Sequence, residues 1–147
     1  MGRAAPRRVV RVVRVVRIAA TLACCLVAAA AHAEGRLQRG QASYMLHCSG
    51  CHLPDGSGKP AAGIPDMRLT VPQLLRSAAG RAFLVQVPGT SGSDLTDAQI
   101  AELMNWMLPA LTAQHDAAPY TPQEVTRYRN DRLDDVAAHR AAILPGR

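Results

Sequence analysis

Apolar residues fall at helical rather than strand spacing along this 147-residue chain. The plainest run is SDLTDAQIAELMNWML, where Ile100, Leu103, Met104 and Met107 stand at i, i+3, i+4 and i+7 and so share one helix face. Thr96 with Gln99 three residues on predicts a capping box, Asp97 puts a negative charge in the first turn, and Pro109 predicts the stop. Leu37, Gly40, Tyr44 and Cys48 repeat at the same period, predicting a helix from Gly35 to His47. Leu53 to Leu69 is broken by glycines and prolines and reads as a loop. Thr70, Pro72 and Gln73 then suit a helix start, and Arg81 to Gln86 a short helix ended by Pro88-Gly89, although Phe83-Leu84-Val85 has strand propensity too.

A last helix is predicted from Thr121 to Ile143, opened by Thr121-Pro122-Gln123-Glu124. Its Val125, Tyr128, Leu133, Val136 and Ile143 are too sparse for a buried helix, so a surface or partner-facing element is expected. Useful β-alternation and internal repeats are both missing. The fold class is all-α.

The N-terminus has a different pattern. MGRAAPRRVVRVVRVVR is arginine-rich, Ile18 to Ala31 is uncharged and apolar, and AHA precedes Glu34-Gly35, which together read as a signal peptide cleaved after Ala33. The apolar run is about 14 residues, short of the roughly 20 that span a bilayer, so no membrane span is expected after cleavage. Arg7-Arg8 lacks the bulky apolar pair and lysine of a twin-arginine signal, and Thr21-Leu22-Ala23 lacks the leucine expected three residues before a lipidated Cys24.

Removing residues 1–33 changes the charge. Six of the 17 basic residues and none of the 11 acidic ones lie there, leaving 11 of each. The basic pI therefore belongs to the leader and gives no support to nucleic-acid binding. Cys24 and Cys25 depart as well, so Cys48 and Cys51 are the only thiols of the mature chain.

Those two stand in HCSGCH, His47 to His52. A thioredoxin-like pair needs a βαβ scaffold, and a zinc site needs four ligands where only the isolated His115 and His139 remain. A Cys48–Cys51 disulfide would close a loop too short to stabilise much. C-x-x-C-H uses every member: two thiols that add across the vinyl groups of haem c, and His52 beside the second to reach the iron. The periplasm, where such attachment occurs, agrees with the signal peptide.

Gly40, Tyr44 and Cys48-Ser49-Gly50-Cys51-His52 together resemble the opening helix of small class I cytochromes c. Pro54-Asp55-Gly56-Ser57-Gly58 resembles the family's glycine loop, Ile64-Pro65-Asp66-Met67 its P-x-L element, and LTDAQIAELMNWML its C-terminal helix. The resemblance covers about residues 35–110 and implies a small fold of three to four helices around one covalently attached haem, with an extra C-terminal helix. The expected organisation is a signal peptide at 1–33, a cytochrome c domain at 34–112 and an extension at 113–147. It further implies that Cys48 and Cys51 bind haem, that His52 is the proximal iron ligand, and that the Pro65 carbonyl receives the other ring nitrogen of His52. Gly40 and Trp106 would mark the crossing of the terminal helices.

One family feature is missing. The loop before the last helix, Val87 to Asp94, carries no methionine where electron carriers supply the sixth iron ligand. Met67, Met104 and Met107 are weak candidates; Met45, His47, His115 and His139 read as packing or solvated residues. The expected function is a single-electron carrier, not an enzyme, working between redox partners such as a periplasmic dehydrogenase donor and an oxidase or second cytochrome as acceptor. Against it stand a haem protein with an open sixth position, acting on a small ligand, and a structural domain without haem. No histidine or arginine in Val87 to Asp94 offers acid–base help to a bound peroxide, which favours the carrier.

Overall fold

A computed structural model describes residues 7–144, with side chains from residue 16 onward and that of Arg14. The first residues of the expected leader and the last of the expected extension lie outside that range. Among the described residues there are helices and turns and no strand, only an isolated bridge between Lys59 and Ile64. The all-α expectation holds.

The chain divides into two compact units, Met1–Gly35 and Arg36–Arg147. In the first, Ile18, Leu22, Leu26 and Val27 are each at least 59% exposed. The division falls within α1 (Arg7–His47), a helix that starts long before the expected Gly35. Alanine and leucine dominate residues 18–31 and are the strongest helix formers, so the apolar run is itself helical.

In the second unit, α2 (Ser49–His52) follows α1 directly, and α3 (Met67–Leu74) follows the glycine loop. Asp66 caps α3 by accepting from the Arg68 N–H, which moves its start ahead of the expected Thr70. Thr70 instead sits inside the helix, its hydroxyl donating to the Asp66 carbonyl at 2.8 Å. Ser77 likewise starts α4 (Ala78–Gln86) three residues before Arg81, and Phe83, Leu84 and Val85 are helical and buried rather than strand.

Pro88 opens a one-turn helix, α5 (Pro88–Ser91), inside the expected loop. The capping box of Thr96 and Gln99 starts α6 (Asp97–Thr112) as expected. Pro109 does not stop it. Leu108 and Thr112 are buried, and the Thr112 hydroxyl donates to the Leu108 carbonyl at 2.6 Å, so packing carries the helix one turn past the proline.

The tail departs most from expectation. In place of one surface helix from Thr121 to Ile143 there are two, α7 (Pro122–Arg129) and α8 (Val136–Ile143). Tyr120 is 2% exposed and Val125 fully buried, so this segment closes the core although it carries few apolar residues. Helix α7 packs against α4 and α6, and α8 against α4.

Gly40 fixes where α1 and α6 meet. A Cβ there would strike the Glu102 carbonyl and come within 2.8 Å of the Trp106 Cβ, so the two backbones approach only because the residue is glycine. One turn on, the Tyr44 and Trp106 rings tilt at 46° with centroids 5.4 Å apart.

Candidate functional site

The C-x-x-C-H segment folds as a single turn. Cys48 N–H bonds to the Tyr44 carbonyl at 2.8 Å and His52 N–H to the Cys48 carbonyl at 3.0 Å, so the turn is continuous with the end of α1. Spacing of three puts Cys48 and Cys51 on one face. The turn ends at Leu53, whose φ of 63° is left-handed, and the Tyr44 hydroxyl holds the Leu53 carbonyl at 2.7 Å. Tyr44 was legible as a helix position; its part in anchoring the motif was not.

Both cysteines are free thiols, and burial pushes the Cys48 thiol up to about 11, with the Cys51 charge adding to the rise. A thiol so hard to ionise is poorly suited to disulfide exchange, which needs an accessible thiolate. Among the described residues no three histidine, cysteine or acidic side chains cluster as a metal site.

The glycine loop returns Pro65 to the motif. Gly58 N–H bonds to the His52 carbonyl at 2.9 Å, and a Cβ on Gly58 would collide with the carbonyls of Ile64 and Pro65. Its φ of 63° also excludes most other residues. His52 Nδ1 is buried and makes no well-aligned hydrogen bond. Burial lowers the pKa of the ring, the Pro65 backbone opposes that shift through a weak polar contact, and the positive charge of Arg140 adds to the lowering. The Pro65 carbonyl thus stands beside the ring without a well-aligned bond to it.

Cys48, Cys51, His52 and Pro65 all line one cavity of about 340 Å³. Its remaining wall is mainly apolar, with Leu74, Phe83, Leu84 and Leu103 among its residues. Met67, Met104 and Met107 line it too; Met104 and Met107 are buried, and the Met67 Sδ stands 4.0 Å from the Tyr44 hydroxyl. From the stretch Val87 to Asp94 the lining residues are Val87, Gly89 and Thr90. His115, His139 and Met45 are not brought to it, whereas His47 is. Val136 and Arg140 of α8 also line the cavity, and no motif or periodicity in the tail pointed to them.

An apolar cavity with two thiols and an imidazole on one turn suits a flat, apolar, iron-bearing group held through sulfur and nitrogen. This arrangement on an all-helical frame is that of a c-type haem domain. The chain belongs to the cytochrome c family: the Cytochrome c family model matches residues 37–139. No curated protein and no solved structure matches it. Membership supports a haem c electron carrier. The match runs into α8, well past residue 112, as does the compact unit that starts at Arg36.

Proposed function

We propose that the protein is a periplasmic mono-haem c-type cytochrome that passes single electrons between redox proteins. The observation that carries the proposal is that both thiols of the one C-x-x-C-H motif, its histidine and Pro65 line a single apolar cavity in a chain matched by the Cytochrome c family. Cys48 and Cys51 would form the thioethers, and His52 would bind the iron. With haem in place the Pro65 carbonyl, which stands beside the ring, would accept from His52 Nδ1, fixing the tautomer that leaves Nε2 free to ligate and making it a better donor. When bound, the haem supplies a one-electron ferric–ferrous couple. The buried aliphatic wall excludes water and keeps the change in solvation small when an electron arrives or leaves.

Residues 113–144 belong in this proposal to the haem domain, since Val136 and Arg140 line the cavity and Tyr120 and Val125 complete the core. Export rests on the arginine-rich start and the apolar run after it; the helix that holds that run, Val16–His47, is longer than the run alone and is long and apolar enough to cross a membrane, a test that an N-terminal signal sequence also passes. The donor is a periplasmic dehydrogenase and the acceptor an oxidase or second cytochrome.

A second reading, in which the iron binds a small ligand, is favoured by one observation: the stretch that would cap the sixth position brings only Val87, Gly89 and Thr90 to the cavity. The test of the main proposal is expression in a bacterium with c-type maturation. The mature protein should be red and keep its haem through a denaturing gel, and C48A/C51A should not; colourless wild-type protein would refute the assignment.

A further inference from the structure

Beside the motif cavity lies a second, more polar cleft of about 780 Å³ between α3 and α8. Pro65, Thr70 and Arg140 line both, so the two are contiguous through those residues. The titratable or charged side chains of the two linings are His47, Cys48, Cys51, His52, Arg76 and Arg140; no aspartate or glutamate is among them.

Arg140 is unusual within this chain. Arg39, Arg68, Arg81 and Arg129 each pair with a carboxylate. Arg140 is half-buried, with no carboxylate partner among the described residues, and its guanidinium stands 6.0 Å from the centroid of Phe83, a buried wall residue of the motif cavity. Val136 and Arg140 are one turn apart on α8 and so share the face that reaches this cavity. A half-buried cation without a counter-charge is costly to retain unless an anion comes to it. Among the described residues no neighbour accepts a hydrogen bond from the guanidinium, while the Thr70 hydroxyl and the Gln73 amide nitrogen donate to the Asp66 and Leu69 carbonyls, the latter at 3.0 Å.

Haem is apolar except for two carboxylate arms, which must leave an apolar cavity at a polar edge. The geometry points to Arg140 as the residue that pairs with a haem propionate at the junction of the two cavities, with the exposed Arg76 further along the cleft. This rests on the proposed function. Arg140 lies one residue past the matched family region, on the α8 turn after Val136. Arg140 is a positioning residue: it neutralises a charge beside the iron and orients the ring edge.

The test is the midpoint potential of matured holoprotein against pH for wild type, R140Q, R140K and the control R132Q, since Arg132 is exposed and lines neither cavity. An unpaired propionate favours ferric iron, so R140Q should show a lower potential at pH 8, by about tenfold in the ferric–ferrous equilibrium or ~59 mV. The gap should close as pH falls and the propionate, no longer held ionised by a cation, takes up a proton. R140K should stay near wild type, and R132Q should match it. Equal potentials and pH profiles in R140Q and wild type, or R140K shifted as far as R140Q, overturn the assignment. Should the variants not mature, wild type still decides. NMR of the ferric haem methyls should show at least one of the two propionates with no ionisation above about pH 5, and ionisation of both near neutrality overturns the pairing. Wild-type protein that attaches no haem would instead refute the proposed function.

Discussion

The Arg81 guanidinium lies 3.8 Å from the centroid of the Tyr120 ring, and the Tyr120 hydroxyl returns a 2.9 Å hydrogen bond to the Arg81 carbonyl. The same guanidinium donates to the carbonyls of Ala118 and Pro119 and forms a two-point pair with Glu124. The Asn105 side chain adds both bonds of the Tyr120 backbone, accepting from its N–H at 2.7 Å and donating to its carbonyl at 2.9 Å. Three helices thus converge on one tyrosine. Burial with satisfied polar groups makes this the joint by which the tail closes the core.

Truncation after Pro119 should therefore prevent accumulation of soluble, haem-stained protein, although the tail's sparse apolar residues suggested a surface or partner-facing element. Y120A should cost roughly 3 kcal/mol or more of unfolding free energy, as large buried aromatic-to-alanine changes do. Urea denaturation followed by tryptophan fluorescence reports it through Trp106. A truncated protein with the wild-type midpoint would show that the joint is decorative.

G40A should destabilise by about 1–3 kcal/mol, because the added methyl meets the fixed Glu102 backbone and the Trp106 Cβ rather than a movable side-chain tip. The cost should appear as a lower urea midpoint with unchanged slope. No loss would mean that α1 and α6 separate without penalty.

The helices and the motif were legible because their signals are local: a capping box at Thr96, a 3.6-residue period through Met107, and two thiols and a histidine within five residues. The crossing of Gly40 and Trp106 came from the family resemblance. Helix α8 buries no residue, as a surface element would, but the start of the tail was misread because its burial is carried by Tyr120 and Val125 and by arginine contacts to distant carbonyls. A sparse apolar count shows neither. Pro109 misled for a similar reason, since the burial of Leu108 and Thr112 outweighs the lost N–H. Arg140 had no local signal, because its neighbours come from residues far away in sequence.

Acid should loosen the junction of α6 and α7. The Asp97 carboxyl is held below its ordinary value, chiefly by the Thr126 hydroxyl and next by Arg129. Its folded-state pKa is depressed, so its stabilising effect is present above the unfolded value, about 3.9, and is lost as pH falls through the lower folded value. D97N should flatten that part of the stability–pH curve below about pH 4 while leaving the slope from pH 5 to 8 unchanged. An unaltered acid limb would assign the loss to Asp55 and Asp66, whose carboxyls are also depressed.

Arg129 reaches the backbone ahead of α6, donating to the carbonyls of Ser91 at 3.0 Å and Leu95 at 2.6 Å and also to that of Ser93. R129A leaves three carbonyls without that donor and should loosen Ser91–Leu95. Native-state hydrogen exchange should quicken at Ser91, Gly92 and Ser93, whose amides bond within this turn, while the amides of α1 keep their rates. Uniform acceleration would indicate global destabilisation instead.

The sixth iron position depends on which side chains reach the cavity. Val87, Gly89 and Thr90 supply no sulfur, and Met67 packs its Sδ toward the Tyr44 hydroxyl, on the chain segment just after Pro65. Met104 and Met107 are on the buried face of α6, with exposures of 2% and 3%, where packing already accounts for them. The ferrous protein should therefore bind carbon monoxide rapidly, and the ferric spectrum should lack the charge-transfer band of iron–thioether ligation. M67L, M104L and M107L should leave both observations unchanged. Slow or absent binding with the band present would mean that a methionine closes the site, and the variant that both loses the band and gains fast binding would name it.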